Sequence, residues 1–200
     1  MPRRAASASA SPPPGPRERM VEATITLMRR SGLSGAGINE IVRESGAPKG
    51  SVYHFFPDGK RQIAAEALDR NGRRVLDFIE AALASRPTPE GGVKALFEAF
   101  ARRLEEGRFR SSCAAGTVCL DLEEDLEGLR EAIAGSFSAW IDAIAGRLAF
   151  RDARRARSFA GLVVSAIEGA YIRGRAERSG KAFREAGAWL ADVAAREAKA

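Results

Sequence analysis

Hydrophobic residues recur at helical spacing along most of the chain, and this pattern sets the fold class. From Arg17 onward Ala, Leu, Arg and Glu dominate, and the polar–apolar alternation of half-buried strands is absent. The clearest stripe has spacings of three and four and comprises Leu122, Leu126, Leu129, Ile133, Phe137, Trp140, Ile144 and Leu148. The sequence therefore predicts an all-α protein.

The predicted helices differ in length between the first third of the chain and the rest. Three short helices, ended by Gly32, Gly46 and the "PDG" run, are expected at about 17–31, 38–45 and 48–55. Longer helices are expected at about 60–83, 91–106, along the Leu122–Leu148 stripe, at 152–178 and at 181–197. Residues 107–116 read as a loop or a broken helix, and residues 1–16, rich in Ala, Ser and Pro, as a disordered tail.

Cysteine and histidine usage argues against a metal site or a bound cofactor. Cys113 and Cys119 match neither a CxxC nor a zinc-binding spacing, and the chain has a single histidine. Two buried or partly buried thiols are the favoured interpretation, with a redox switch as the alternative. Neither a metal nor a cofactor is expected.

The sequence also lacks the signals of membrane proteins and of the common enzyme classes. No apolar run approaches the roughly 20 residues of a membrane span, and the N-terminal tail lacks the apolar stretch of a secretory signal. Ser-His-Asp spacing, a glycine-rich phosphate loop and an HExxH motif are missing. We expect a cytoplasmic protein that is not an enzyme.

The positive charge of the chain is concentrated near its N-terminus. The net charge is +6, and residues 1–60 carry nine Lys or Arg against five Asp or Glu. A small basic module on a nearly neutral body suggests a polyanionic partner. Solubility is the alternative explanation.

The run "APKGSVYHFFPDGK", residues 47–60, predicts a very short helix with one exposed edge. On a helical wheel Val52, Phe55 and Phe56 share an arc that should pack inward. The opposite arc carries small side chains first (Gly50 and Ser51) and then polar aromatic ones (Tyr53 and His54). Lys49 lies at its edge and gives it a basic flank. Such a face fits a phosphate-lined groove.

Together with the helix before it, this short helix reads as a helix-turn-helix, whose second helix enters the major groove of DNA. Lys60 then opens the following helix and would place a cation and free N–H groups near the DNA backbone. Three small helices that cap a bundle are the alternative.

Three segments of this region resemble the DNA-binding domain of the TetR family of bacterial transcriptional regulators. They are "RERMVEATITLMRRSGL", "INEIVRESGAPKGSVYHFF" and the "GK" that opens the next helix. "PDGK", one residue longer than the family's usual "PSK", and "CAAGTVCLDL" are similar to the LmrA/YxaF branch.

The resemblance implies a homodimer that binds a near-palindromic operator in double-stranded DNA. It implies a helix-turn-helix domain at 17–60 and a helical domain for ligand binding and dimerisation at 61–200. Ser51 and Tyr53 match positions that contact DNA in relatives, and Lys60 matches a phosphate contact. Branch members have the residue types of Lys49, Gly50 and His54 at the same positions.

Two departures from the family pattern weaken the expected grip on DNA. Relatives often have Thr and then Ser or Thr where this chain has Ala36 and Gly37, so a helix cap of about 1 kcal/mol and phosphate contacts are lost. Phe55 stands where relatives often have Tyr or His. The "MPRR" tail or Arg43 would have to compensate.

The resemblance further implies repression that a small apolar or aromatic ligand relieves. Alternatives are a ligand-binding protein that has lost its operator and, less favoured, an activator. Ordinary core packing is the alternative role for each pocket candidate, namely Phe78, Phe97, Phe100, Cys113, Cys119, Phe137, Trp140 and Phe159.

The homodimer would form through the last two helices, at about 152–178 and 181–197. Both are rich in Ala and Gly, which permit close approach between helices. Close packing within one protomer explains the same composition equally well.

Overall fold

The computed structural model describes residues 13–122 and 127–198, which form nine α-helices and one 3-10 turn, with no strand among them. The expected disordered tail lies mostly outside the described residues, and α1 begins within it, at Pro16. The all-α prediction is confirmed. The helices are α1 Pro16–Ser31, α2 Ile38–Ser45, α3 Val52–Phe55, α4 Lys60–Ala84, α5 Pro89–Glu106, α6 Ala114–Leu120, α7 Glu127–Ala145, α8 Ala153–Glu177 and α9 Lys181–Glu197.

Helices α1, α2 and α3 form a small N-terminal unit around one apolar stripe. The inward face of α1 is buried as its period predicts and comprises Met20, Val21, Thr24, Leu27 and Met28. Arg19 Nε donates to Ser45 O at 3.0 Å, so α1 satisfies a carbonyl at the end of α2. Gly46 then turns the chain in the left-handed conformation (φ 61°), which glycine adopts without steric cost.

Helix α4 joins this unit to the rest of the protein. Its N-terminal half packs on α1, and its other neighbours are α5, α6 and α7. Charged pairs line the contact with α1: Arg17 is bidentate with Glu66 (2.8 and 2.6 Å) and Arg74 with Glu22 (2.6 and 2.7 Å). A network holds two helices in register better than isolated surface pairs do.

Two predictions for the middle of the chain were wrong. The segment 107–116 ends inside a helix, because α6 starts at Ala114 after a reversal at Arg108 and Phe109, whose φ angles are 51° and 61°. The Leu122–Leu148 stripe extends beyond one helix, since α7 covers Glu127–Ala145. Leu126 lies outside the described residues.

Helix α6 is fastened to the end of α1 by three sets of hydrogen bonds. Thr117 Oγ1 donates to Met28 O at 2.8 Å, and Ser112 N donates to Arg29 O at 2.7 Å. Asp121 Oδ2 accepts from Ser34 N and Oγ, both at 3.0 Å. We call these bonds the α1–α6 clamp.

The clamp corrects one sequence interpretation. In the sequence, the clustered carboxylates of Asp121, Glu123, Glu124 and Asp125 indicate a solvated first turn that complements the dipole of the following helix. Asp121 is instead half-buried and fastens the loop after α1. The other three acidic residues lie outside the described residues.

Helices α5 and α9 meet along a seam that requires a glycine. A Cβ built on Gly187 would lie 2.5 Å from Phe97 Cβ and 2.9 Å from its Cγ. The clashing atoms lie at the base of the buried Phe97 side chain, so a change of rotamer alone would not admit the methyl group. The close contact between α5 and α9 therefore requires a glycine, which has no side chain, at position 187.

We predict that Gly187→Ala lowers the free energy of unfolding by about 1–3 kcal/mol, because the new methyl group overpacks the seam. Urea denaturation followed by circular dichroism measures the change. Gly135→Ala is the matched control: Gly135 is exposed on α7 with open space around it. That substitution should gain up to about 1 kcal/mol from helix propensity, and equal effects of the two substitutions would contradict the packing argument.

Candidate nucleic-acid interface and internal cavity

The short helix after α2 is built in two parts. Lys49–Ser51 form a 3-10 turn after an extended Pro48, and α3 follows from Val52. Val52 and Phe56 are fully buried, as the wheel predicts. Phe55 is only half-buried, and its ring meets that of His54 edge-on at 5.0 Å. The inward arc is therefore narrower than the sequence suggested.

The opposite side of this element presents the residues that the sequence places at an exposed edge. Lys49, Gly50 and His54 are exposed, Ser51 is half-buried, and the Tyr53 side chain is 65% exposed. These five residues, with the half-buried Lys60, are called the exposed edge. A large, exposed, polar aromatic side chain on a rigid scaffold suits contact with another molecule.

The turn "PDGK" fixes Tyr53 beside the start of α4. Gly59 has a φ of 59° and donates its N–H to Phe56 O at 2.8 Å. A Cβ at Gly59 would lie 3.3 Å from Tyr53 Cε1, so the ring leans over this glycine. Asp58 N is satisfied by Gln62 Oε1 at 3.2 Å. Lys60 thus opens α4 directly beside the Tyr53 ring.

The start of α2 has no side-chain cap. Gly37 occupies the N-cap position, where no side chain accepts a hydrogen bond, and Ala36 before it is fully buried. The exposed face of α2 carries Asn39 and Arg43 instead. Polar contacts from this helix would have to come from those two side chains.

An internal cavity lies where α1, α4, α5, α6, α7 and α8 converge. Its free volume is about 20 Å³, which is room for a single water molecule. Its lining combines apolar and polar side chains: Arg29, Asn71, Val75, Ile79, Phe100, Arg103, Ser112, Cys113, Ala114, Trp140, Val164, Ile167, Glu168 and Tyr171.

Three of the eight pocket candidates line this cavity: Phe100, Cys113 and Trp140. Phe78 and Phe97 instead line an open groove between α4, α5 and α9. The remaining three lie elsewhere: Phe137 packs edge-on against Trp140, Phe159 packs against Phe150, and Cys119 is exposed. The expectation that both thiols are at least partly buried is therefore wrong for Cys119.

Sequence reasoning missed the polar part of the lining. It was directed at bulky apolar side chains, whereas Arg29, Asn71, Arg103, Glu168 and Tyr171 all face the cavity. A signal was present in the sequence, because Asn71 and Glu168 fall on the inward sides of otherwise apolar helices. Polar residues at such positions mark either a cavity or a buried network.

Burial dominates the ionisation of these groups. It raises the pKa of the Glu168 carboxyl, and it raises that of the Cys113 thiol, which is hydrogen-bonded to Glu168, well above its usual range. Burial also raises the pKa of Tyr171 and lowers that of Arg29, on which the charge of Arg103 acts in the same direction. A thiol with a raised pKa is a poor nucleophile, so Cys113 lacks the character of a redox sensor.

Helices α8 and α9 leave a large apolar surface uncovered. Leu162 and Ile172 on α8 are 56% and 65% exposed, and Trp189 on α9 is 72% exposed. Gly161 and Gly169 on α8 have open space around them, whereas Gly174 and Gly187 are packed within the protomer. Gly187, one of the small residues named from the sequence, therefore packs within the protomer, and Gly161 and Gly169 do not.

Residues 13–122 and 127–198 contain neither a metal-binding cluster nor a helix that could cross a membrane. No cluster of three or more His, Cys, Asp or Glu side chains there has the geometry to hold a metal ion. None of the described helices combines the length and apolar character that crossing a bilayer requires.

Comparison with known proteins identifies the family. Residues 20–67 match the profile of the tetR family of bacterial regulatory proteins, and residues 89–188 match the C-terminal domain of LmrA/YxaF-like transcriptional regulators. An uncharacterized HTH-type transcriptional regulator of Mycobacterium tuberculosis H37Rv is 34% identical over 174 residues, covering 82% of this chain and 86% of the relative. The chain belongs to the TetR family of transcriptional regulators.

Further relatives agree with this assignment. The uncharacterized HTH-type regulator YxaF of Bacillus subtilis is 30% identical over 156 residues, covering 76% of this chain and 81% of that protein. This TetR-family protein is therefore a DNA-binding regulator of transcription rather than an enzyme, as predicted, and its C-terminal part is of the LmrA/YxaF type.

Solved structures share the fold at lower sequence identity. A TetR regulator from Chloroflexus aurantiacus superposes with a TM-score of 0.75 at 23% identity, covering 91% of this chain and 95% of the other. A cysteine-substituted CifR, a TetR-family regulator complexed with 26-bp operator DNA, gives 0.76 at 14% identity, covering 92% and 98%.

We predict that Glu168→Gln stabilises the protein near neutral pH, because the amide keeps a hydrogen-bond acceptor for Cys113 without the cost of a buried charge. A raised folded pKa means that the unfolded state binds fewer protons, so wild-type stability falls as pH rises from about 4.5 through the folded pKa. Thermal melts across pH 4–8 should show an advantage of the variant that grows with pH. An advantage that shrinks with rising pH would contradict the assignment.

Proposed function

We propose that this regulator is a homodimeric repressor that binds a near-palindromic operator and is released from it by a small, largely apolar ligand. Residues 17–60 would form the DNA-binding domain, and residues 61–200 the domain for ligand binding and dimerisation. Because its partner is DNA, we place the protein in the cytoplasm. The observation that carries the proposal is the exposed edge at the start of α3 and α4.

The exposed edge has the chemistry that a DNA groove requires. The 3-10 turn presents Gly50 and Ser51, which leave room for close approach of the backbone. Tyr53 and His54 offer hydrogen bonds to bases or phosphates from short, rigid side chains. Lys49 and Lys60 supply positive charge on either side, where phosphates would lie.

The grip on DNA is expected to be modest for a regulator of this kind. The uncapped Gly37 start of α2 offers no side chain to a phosphate, and Phe55 packs against His54. Arg43, exposed on α2, is the described residue best placed to compensate. If it does not, the alternative of a ligand-binding protein without an operator gains weight.

The uncovered face of α8 and α9 supports the homodimer. Leu162, Ile172 and Trp189 form an exposed apolar set beside glycines that would permit close approach. A two-fold pairing of these helices makes a four-helix interface. Two recognition helices about one DNA turn apart, ~34 Å, would then face one side of the duplex.

The cavity supports regulation by a ligand. It has room for only about one water molecule, so a ligand larger than water must separate the surrounding helices to enter. Those helices include α4, which opens with Lys60, and α6, which is clamped to α1. A ligand weakens DNA binding only insofar as it prefers the expanded conformation.

The function is tested by gel shift with DNA from upstream of the protein's own gene. We expect salt-sensitive binding, which Tyr53→Ala weakens by about 1–3 kcal/mol if Tyr53 contacts a base. Lys60→Ala should weaken binding to every sequence and reduce the salt slope by about one charge.

The charge control for Lys60→Ala is Arg86→Ala, since Arg86 is exposed beyond the other end of α4. It removes one positive charge far from the exposed edge and should leave binding unchanged. Equal weakening by both substitutions would show general electrostatics rather than a contact at Lys60. If the protein shows no salt-sensitive binding to any promoter fragment near its own gene, the repressor assignment is wrong.

The dimer interface is tested by Ile172→Glu, which would bury a carboxylate in the proposed four-helix contact. We expect the mass from light scattering to fall from dimer to monomer at micromolar concentration. Leu120→Glu is the matched control, because Leu120 is 84% exposed but lies on α6. A dimer that survives Ile172→Glu would place the interface elsewhere.

A further inference from the structure

Two guanidinium groups line the internal cavity without a carboxylate to neutralise them. Within residues 13–122 and 127–198, neither Arg29 nor Arg103 forms an ion pair. Arg29 Nε and Nη2 donate to Ser112 O and Ser111 Oγ, both at 3.4 Å, which is long for a hydrogen bond. The Arg103 guanidinium lies over the Phe78 ring at 5.2 Å. Both cations thus retain capacity to bind an anion.

The two cations also act on each other. Burial is the main cause that lowers the pKa of Arg29, and the positive charge of Arg103 lowers it further. Two partly buried positive charges that line one cavity repel each other, and this repulsion destabilises the protein when no anion is bound. An anion bound between them would relieve the repulsion and gain charge-assisted hydrogen bonds.

The one carboxyl group in the cavity lining does not fill this role. Glu168 is hydrogen-bonded to the Cys113 thiol at the α6 side of the cavity, and no hydrogen bond or ion pair joins it to either arginine. Burial raises its pKa, which favours its uncharged form. Its hydrogen bond is made to the thiol, so it is not the counter-ion of either arginine.

The remaining walls are apolar and suit the body of an organic molecule. They comprise Val75, Ile79, Phe100, Trp140, Val164 and Ile167. Trp140 is held in place by its Nε1, which donates to Gly72 O at 3.0 Å, so its ring presents a fixed surface. A cationic end and apolar walls together define an amphipathic ligand with one negative group.

We propose that the cavity binds an amphipathic organic anion, with its carboxylate or similar group between Arg29 and Arg103 and its apolar body against Phe100, Trp140 and Ile79. This inference rests on the proposed function, in which the cavity is the effector site, and adds the charge of the effector. It also gives the effector a direct contact with the N-terminal unit, because Arg29 lies in the last turn of α1.

That contact links ligand binding to the α1–α6 clamp. Arg29 O accepts from Ser112 N, and the Arg29 side chain meets Ser111 and Ser112. An anion that draws the guanidinium into the cavity competes with the side-chain part of this contact. The arginine is therefore a positioning residue for α1 as well as a ligand contact.

The test compares two probes of nearly equal shape, 2-naphthoate and 2-naphthamide, by isothermal titration calorimetry on the full-length protein at pH 7. The first is an anion and the second is neutral. We expect the anion to bind about tenfold more tightly, as one charge-assisted contact of about 1.4 kcal/mol implies. Arg103→Gln and Arg29→Gln should each remove this preference.

The controls separate charge from folding. Binding of 2-naphthamide by the glutamine variants should stay within about twofold of wild type, which shows an intact cavity. Arg102→Gln changes the exposed neighbour on α5 and should leave both affinities unaltered. Equal wild-type affinities for the two probes, no binding of either probe, or parallel loss of both in the variants would overturn the proposal.

The outcome can be separated from that of the proposed function by gel shifts on the same preparations. If wild-type protein binds the upstream DNA but binds 2-naphthoate and 2-naphthamide equally, only the ligand inference is overturned. A clear preference for the anion with no DNA binding overturns the repressor assignment and leaves the ligand class standing.

Discussion

The end of α1 is the point on which the account of this protein depends. The backbone carbonyls of two adjacent residues, Met28 and Arg29, accept hydrogen bonds from α6 and from the loop before it. The Arg29 side chain also reaches the cavity. The same helix, at its other end, supports α2 through Arg19 and α4 through Arg17. Helix α1 thus contacts α2 and α4, the helices before and after the short α3, and also contacts α6 beside the cavity, so a change at the cavity has a short physical route to the exposed edge.

The route from the cavity to the exposed edge runs through helices that contact one another directly. Charged pairs join α4 to α1, and the clamp joins α6 to α1, so α1, α4 and α6 are linked by polar contacts. The cavity lies between this group and α5, α7 and α8. A ligand that expands the cavity must move one set of helices against the other, since packed interiors are not continuously deformable. In the proposed mechanism, the free energy of that movement would couple ligand binding to DNA binding.

Most helices could be predicted from the sequence, because helical periodicity and the glycines that end helices are local signals. The bounds of α9 were predicted at both ends, and the burial of Val52 and Phe56 followed from a wheel. Helix α6 was missed, because seven residues with Ala, Gly and Thr carry little periodicity and its place is set by long-range bonds to α1. Only three of the fourteen residues that line the cavity were among the predicted candidates, because sequence reasoning considered bulky apolar or soft side chains. Its arginines could not be assigned from sequence, because only the fold shows that Arg29 on α1 and Arg103 on α5 line the same cavity.

The central claim is that the edge around Tyr53 reads DNA as a two-fold dimer, and selection of bound sequences from a random duplex library tests it most directly. The account predicts enrichment of an inverted repeat with half-site centres about ten base pairs apart, and loss of that enrichment in Tyr53→Ala. A selected pool with no sequence preference over the input, or one that Tyr53→Ala enriches equally, would contradict it.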